Sequence, residues 1–153
     1  MLSAQSFTFV CGVLLILCNC STAAVNSVAV KGHLNCGKVP ANDVTVVLYR
    51  NDTKEVSQTL DSRTSSPMGL FEVTGNTNGR PLNETEIAPV IRFFHRCAVD
   101  ENTKKGNMRS FQIGIPHSFI SVGVGKPKKT FDIGTLNLEL AYPKESWEKD
   151  ARP

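Results

Sequence analysis

The stretch IAPVIRFFHRC at residues 87–97 constrains the fold more than any other part of this chain. Beyond Pro89, Ile91, Phe93, His95 and Cys97 fall on one side of an extended backbone and Val90, Arg92, Phe94 and Arg96 on the other, because strand side chains alternate with a period of two. The pattern predicts a strand with one apolar face. Its cysteine lies on that face, so the strand can be tied covalently to whatever packs across the core.

The N-terminus decides which cysteine is available as a partner. An apolar block from Phe7 to Cys18, too short to cross a bilayer comfortably, leads through Asn-Cys-Ser-Thr to Ala23 and Ala24. This is the layout of a secretory signal at residues 1–24, with a signal anchor or a buried strand as the alternative. Its removal takes Cys11, Cys18 and Cys20 and leaves Cys36 and Cys97 in an oxidising compartment, where they have a single intramolecular pairing. Such a bridge closes a loop of about 60 residues, for which chain entropy gives roughly 4 kcal/mol.

The remaining chain of about 130 residues suits one domain, with no need of many staples. Its pattern is that of short strands. Residues 27–34 place Val28, Val30, Gly32 and Leu34 on one face and Lys31 and His33 on the other, and Cys36 shares the apolar parity. Residues 43–50 repeat this with Val44, Val46 and Leu48 inward and Val47 and Tyr49 outward, so the two runs read as an antiparallel pair. Further strands are expected at 55–60, around Leu70, Phe71 and Val73, at 109–115 and 118–122, and at 130–140 with Leu136, Leu138 and Leu140 alternating. No window of helical length carries a sustained apolar stripe. Turn signals recur about every ten residues, which indicates an all-β antiparallel sandwich of about seven to eight strands spanning residues 25–142. The charged end, residues 143–153, reads as a disordered tail on which Trp147 alone would dock locally.

A net charge of +3 with both signs interspersed favours solubility and argues against nucleic acid as the main partner. Lys104 with Lys105, and Lys126 with Lys128 and Lys129, read as solvated loop charge, with contact to an anionic surface as the alternative. The chain carries no G-x-S-x-G, no H-E-x-x-H and no phosphate loop after Gly123 and Gly125, so no catalytic residue or cofactor is expected. His33, Cys36, His95 and Cys97 make a zinc-type inventory, but His33 has the opposite parity to Cys36, which favours the disulfide and no metal. His95 reads as a core histidine and His117 as an exposed one. Asn51 and Asn83 head Asn-x-Thr sequons in expected surface loops and are candidate glycosylation sites.

Three blocks together resemble the nematode transthyretin-like family. VAVKGHLNCGKVPANDVTVVLY carries Gly32, Leu34, Cys36, Lys38, Pro40 and Ala41, and the 87–97 strand carries Pro89, His95 and Cys97. The third block supplies Ile115, Pro116, Gly123, Asp132, Gly134, Asn137 and Leu138. The resemblance implies a secreted transthyretin-like β-sandwich acting as a non-enzymatic extracellular carrier or adaptor, and association of this protein with cell surfaces is a further expectation. Many members have a second cysteine pair that this chain lacks. The related hydroxyisourate hydrolases end in Tyr-Arg-Gly-Ser, whereas this chain ends KDARP.

The resulting expectation is a binding protein for a lipid, a small apolar molecule or a cell-surface receptor, and not a membrane-spanning one. The alternatives are an enzyme acting on a small metabolite through His95 and nearby arginines, and a structural component of the extracellular matrix. The candidate binding surface is the outward set Arg92, Phe94 and Arg96, enlarged by Tyr49 if its strand joins the same sheet. A loop or a second subunit of a homo-oligomer covering Phe94 is the competing expectation.

Overall fold

The computed structural model describes residues 24–100, 107–123 and 125–151. Residues 1–23 of the expected leader, and Lys104 and Lys105, lie outside this set. The described chain is all-β and forms a sandwich of two five-stranded sheets. Among the described residues no helix is long and apolar enough to cross a membrane.

The first sheet is built on β1 (Asn26–Cys36), the longest strand. Ala29 pairs with both Thr74 of β5 (Leu70–Asn76) and Thr130 of β9 (Thr130–Asn137), which places β5 and β9 on opposite edges of β1. Two short strands extend those edges, β2 (Val39–Pro40) and β8 (Ser121–Val122). All of these pairings are antiparallel except β1 with β9. In that parallel pair the register slips: Lys31 opposes Asp132 but His33 opposes Thr135, so Gly32 alone faces Ile133 and Gly134. Two glycines permit this bulge. A Cβ on Gly32 would lie 2.5 Å from the Ile133 side chain, and Gly134 takes φ +71°.

The second sheet contains β3 (Thr45–Tyr49), β4 (Thr59–Thr64), β6 (Val90–His95), β7 (Met108–Gly114) and β10 (Ser146–Glu148), in the order β10-β7-β6-β3-β4. β1 and β3 therefore do not pair, against the expectation. Both edges of β1 are taken by β5 and β9, and β3 has β4 and β6, so the two runs face each other across the core instead of sharing hydrogen bonds.

Between the sheets lie Val28, Val30 and Leu34 from one side and Val46, Leu48, Ile91 and Phe93 from the other, all fully buried. Phe93 stacks on Phe111 with centroids 5.0 Å apart and meets the edge of Phe71 at 5.5 Å, the offset and edge-on geometries that aromatic quadrupoles favour. The parity predicted for β1, β3 and β6 is thus the parity observed.

Several boundaries differ for local reasons. The strand expected at 55–60 is a 3-10 turn (Val56–Gln58) leading into β4, whose polar Asp61, Ser62 and Arg63 left no apolar alternation to read. The strand expected at 118–122 is another 3-10 turn (His117–Phe119) before the two-residue β8. β9 stops at Asn137 because the Asn137 side-chain oxygen accepts from the Gly37 amide (2.9 Å) and the Glu139 amide (3.1 Å) and turns the chain, leaving Leu140 exposed. The larger correction concerns the C-terminus, which was expected to be disordered. Its residues through Ala151 are laid against the second sheet, and β10 pairs with β7 at Ser110, Arg109 and Met108.

Candidate functional site

The predicted binding surface has the right parity and the wrong exposure. Arg92, Phe94, Tyr49 and Val47 do point away from the core, but Arg92 is 6% exposed, Phe94 3% and Tyr49 1%. Only Arg96, past the end of β6, is exposed. The cover is the chain's own C-terminal segment, whose Ala151 packs with Met108 of β7 on Val47, Tyr49 and Phe94. A loop was one of the two expected covers, and this segment takes that place.

Beneath it the Arg92 guanidinium sits 5.3 Å from the Tyr49 ring centre and donates to Gln112 Oε1 at 2.5 Å. Gln112 in turn donates to Asp52 Oδ1 at 2.9 Å. Lys54 reaches over the rim to Glu148 Oε1 at 2.5 Å. That hydrogen bond, helped by Ser146 and by the charges of Lys54 and Arg92, holds the Glu148 carboxyl below the usual carboxylate range against the opposing effect of burial. A cleft of about 100 Å³ remains, lined by Tyr49, Lys54, Arg92, Phe94, Glu148 and Asp150.

The segment is anchored by a residue that sequence reasoning passed over. Arg109 of β7 is 7% exposed and pairs through Nε and Nη2 with both carboxylate oxygens of Glu145. It also donates to the carbonyls of Cys97 (3.1 Å), Leu138 (2.9 Å) and Leu140 (2.8 Å). One guanidinium therefore joins β7, the disulfide strand and the chain after β9. Burial would raise the Glu145 pKa, but the bonds from Arg109 and from the Tyr142 amide outweigh it and hold the carboxyl down. Tyr142 completes the clasp, stacked on Phe111 at 4.0 Å with its hydroxyl donating to Asn137 O at 3.1 Å. The signal was present in the sequence: Arg109 shares the parity of core residue Phe111, and a charge on an apolar face requires a buried partner.

His95 lies beside this clasp and edge-on to Phe111 at 5.9 Å. It is 2% exposed, and neither ring nitrogen has a hydrogen-bond partner among the described residues. Burial, with the nearby positive charge of Arg109, lowers its pKa from 6.5 to about 4, while Glu145 acts weakly in the other direction. At neutral pH it is an uncharged, enclosed ring. Next to it Cys36 and Cys97 form the predicted disulfide, which overrules the zinc alternative because both thiolates are consumed. His33 faces the opposite side of β1 from Cys36, as expected from parity.

The outer face of the other sheet has no such cover among the described residues. A shallow groove of about 570 Å³ crosses β5, β1 and β9 and is lined by Lys31, His33, Leu70, Glu72, Asp132 and Thr135, among others. Leu70 is 57% exposed there, beside a Lys31–Asp132 ion pair at 3.5 Å. Cross-strand partners put these side chains together, His33 with Leu70 and Lys31 with both Glu72 and Asp132. Sequence reasoning missed this face because β5 and β9 could not be assigned to β1. Of the two sequons, Asn83 is exposed and Asn51 half-buried with its side-chain oxygen enclosed.

Comparison with known proteins agrees with this architecture. A model of the transthyretin-like family matches residues 31–116. Transthyretin-like protein 46 of Caenorhabditis elegans is 40% identical over 139 residues, covering 89% of this chain and 74% of its own length. Transthyretin-like protein 33 of the same organism is 35% identical over 136 residues, covering 87% and 90%, and transthyretin-like protein 2 is 32% identical over 122 residues, covering 78% and 80%. The strand set, the Cys36–Cys97 bridge and these matches along most of the chain lead to one conclusion: the chain belongs to the transthyretin-like family.

Proposed function

We propose that this protein is a secreted, non-enzymatic binding module that engages a cell-surface protein through the outer face of β5, β1 and β9. The observation that carries the reading is the open groove across β5, β1 and β9, where exposed Leu70 at the β5 side lies with Lys31, Glu72 and Asp132 on the same outer face. An exposed apolar side chain beside charges of both signs suits a protein surface, where the apolar contact supplies affinity and the charges supply register. Small apolar ligands are held instead in enclosed sites that bury most of their surface, and this groove is shallow. The enzyme reading is the weaker one, since both ring nitrogens of His95 are buried and neither meets a partner among the described residues. Secretion rests on the leader-like N-terminus and the oxidised cysteine pair.

Binding of the purified mature protein to cells that normally meet it, compared with its Leu70→Asp and Lys31→Gln variants, tests the proposal. Both side chains are solvent-exposed, so melting temperatures should stay within about two degrees of the parent. Cell binding should fall about tenfold or more in each variant. Undiminished binding by both would overturn the assignment of this face.

A further inference from the structure

We propose that the outer face of β3, β6 and β7 is a second docking site, made for an extended acidic segment of a partner protein, and that residues 146–151 of this chain are its displaceable resident. The face combines an aromatic floor with basic groups: Tyr49 and Phe94 below, Arg92 over Tyr49, Lys54 at the rim and Arg96 at the end of β6. The resident complements it with carboxylates, Glu148 on Lys54 and Asp150 lining the same cleft, while Ala151 packs on the floor. It also completes the sheet by pairing three residues with β7. An incoming strand with carboxylates at alternate positions would reproduce both sets of contacts, since adding a strand to a sheet edge takes its affinity from the backbone and its selectivity from every second side chain.

The attachment of the C-terminal segment is uneven along its length. Through Glu145 it is tied to the core by Arg109 and by the Tyr142–Phe111 stack. Beyond Glu145 its contacts include a three-residue ladder, the Ser110–Ser146 hydroxyl contact at 2.9 Å, Ala151 on the aromatic floor and the Lys54–Glu148 pair, whose lysine side chain is mostly in solvent, with no second buried ion pair among the described residues. Exposed pairs of that kind contribute little and are screened by salt. Lys144, immediately before the clasp, has φ +57°, a left-handed conformation unusual for lysine. Residues 146–151 can therefore leave while Glu145 stays, which uncovers Arg92, Tyr49 and Phe94 and frees the edge of β7 without disturbing the core.

Two measurements on the full mature protein test this. Hydrogen exchange should show the amides of Ser146–Glu148 opening at least about tenfold faster than those of β6. In the second, a labelled synthetic peptide with the sequence of residues 144–151 is titrated against the parent and against Glu148→Lys. The tethered segment competes at an effective concentration in the millimolar range, so the parent should bind the peptide weakly and Glu148→Lys about tenfold or more tighter. A peptide with its three carboxylates changed to lysine should bind neither. The proposal is overturned by exchange in β10 as slow as in β6, by equal peptide affinity for the two proteins, or by equal binding of the charge-reversed peptide. Binding of the uncovered variant to acidic phospholipid vesicles but not to the peptide would overturn it as well.

Discussion

Acidification from about pH 6.5 to about pH 4 should destabilise this protein through His95 before it reaches most carboxylates. An unfolded histidine takes up its proton near pH 6.5, whereas folding lowers the His95 pKa to about 4. Below pH 6.5 the unfolded chain therefore binds a proton that the folded chain refuses, and stability falls as pH falls. The full contribution is present above about 6.5 and is lost progressively as pH falls to about 4. At about 1.4 kcal/mol per unit the shift is worth roughly 3 kcal/mol, on the order of ten degrees in melting temperature for a domain of this size. Glu145 and Glu148, whose carboxyls are held low, add their own losses only below their ordinary range near 4.5. Urea midpoints of the parent and of His95→Leu at intervals between about pH 7.5 and about pH 4.5 separate the two windows. Leucine has nearly the histidine volume and removes two buried nitrogens without partners, so the variant should be as stable as the parent at neutral pH and nearly flat across the interval. Equal loss of stability in both proteins would refute the reasoning.

Three further outcomes follow from the geometry. Changing both Cys36 and Cys97 to serine opens a loop with a sequence separation of 61, and denaturant unfolding should show a loss of about 4 kcal/mol by the chain-entropy relation. Arg92→Glu puts a carboxylate under the segment that carries Glu148 and Asp150 and should lower the melting temperature by several degrees, while Arg96→Glu, in solvent, should leave it unchanged; calorimetry of the two single variants decides. Expression in a eukaryotic secretory host should give a glycosidase-sensitive mass increment that disappears in Asn83→Gln and persists in Asn51→Gln, because Asn83 is exposed on a 3-10 turn and Asn51 is partly enclosed.

The two faces of the sandwich differ in a way that bears on function. The outer face of β6, with its arginines and aromatic ring, matches what a binding patch looks like in a sequence, yet the chain covers it itself. The outer face of β1, read only as the polar side of a strand, is the one left open among the described residues, where Leu70 arrives from β5 and Asp132 from a bulged β9.

What the sequence determined by itself is whatever depends on one strand at a time. Side-chain alternation follows from local covalent geometry, so Val28, Val30, Ile91 and Phe93 could be assigned to the core, and Lys31, Arg92 and Phe94 to the other side, before any neighbour was known. The Cys36–Cys97 bridge was legible once the leader-like N-terminus set Cys11, Cys18 and Cys20 aside, and the spaced marks from Gly32 to Leu138 identified the family. Tertiary structure alone decided which edges meet. A strand pattern does not encode its hydrogen-bonding partner, so the separation of β1 from β3 and the parallel approach of β9 were not readable. Nor was the fate of the C-terminal segment, whose mixed charges look solvated until Arg109, more than thirty residues away in sequence, supplies the buried counter-charge that holds Glu145 and brings β10 onto the sheet.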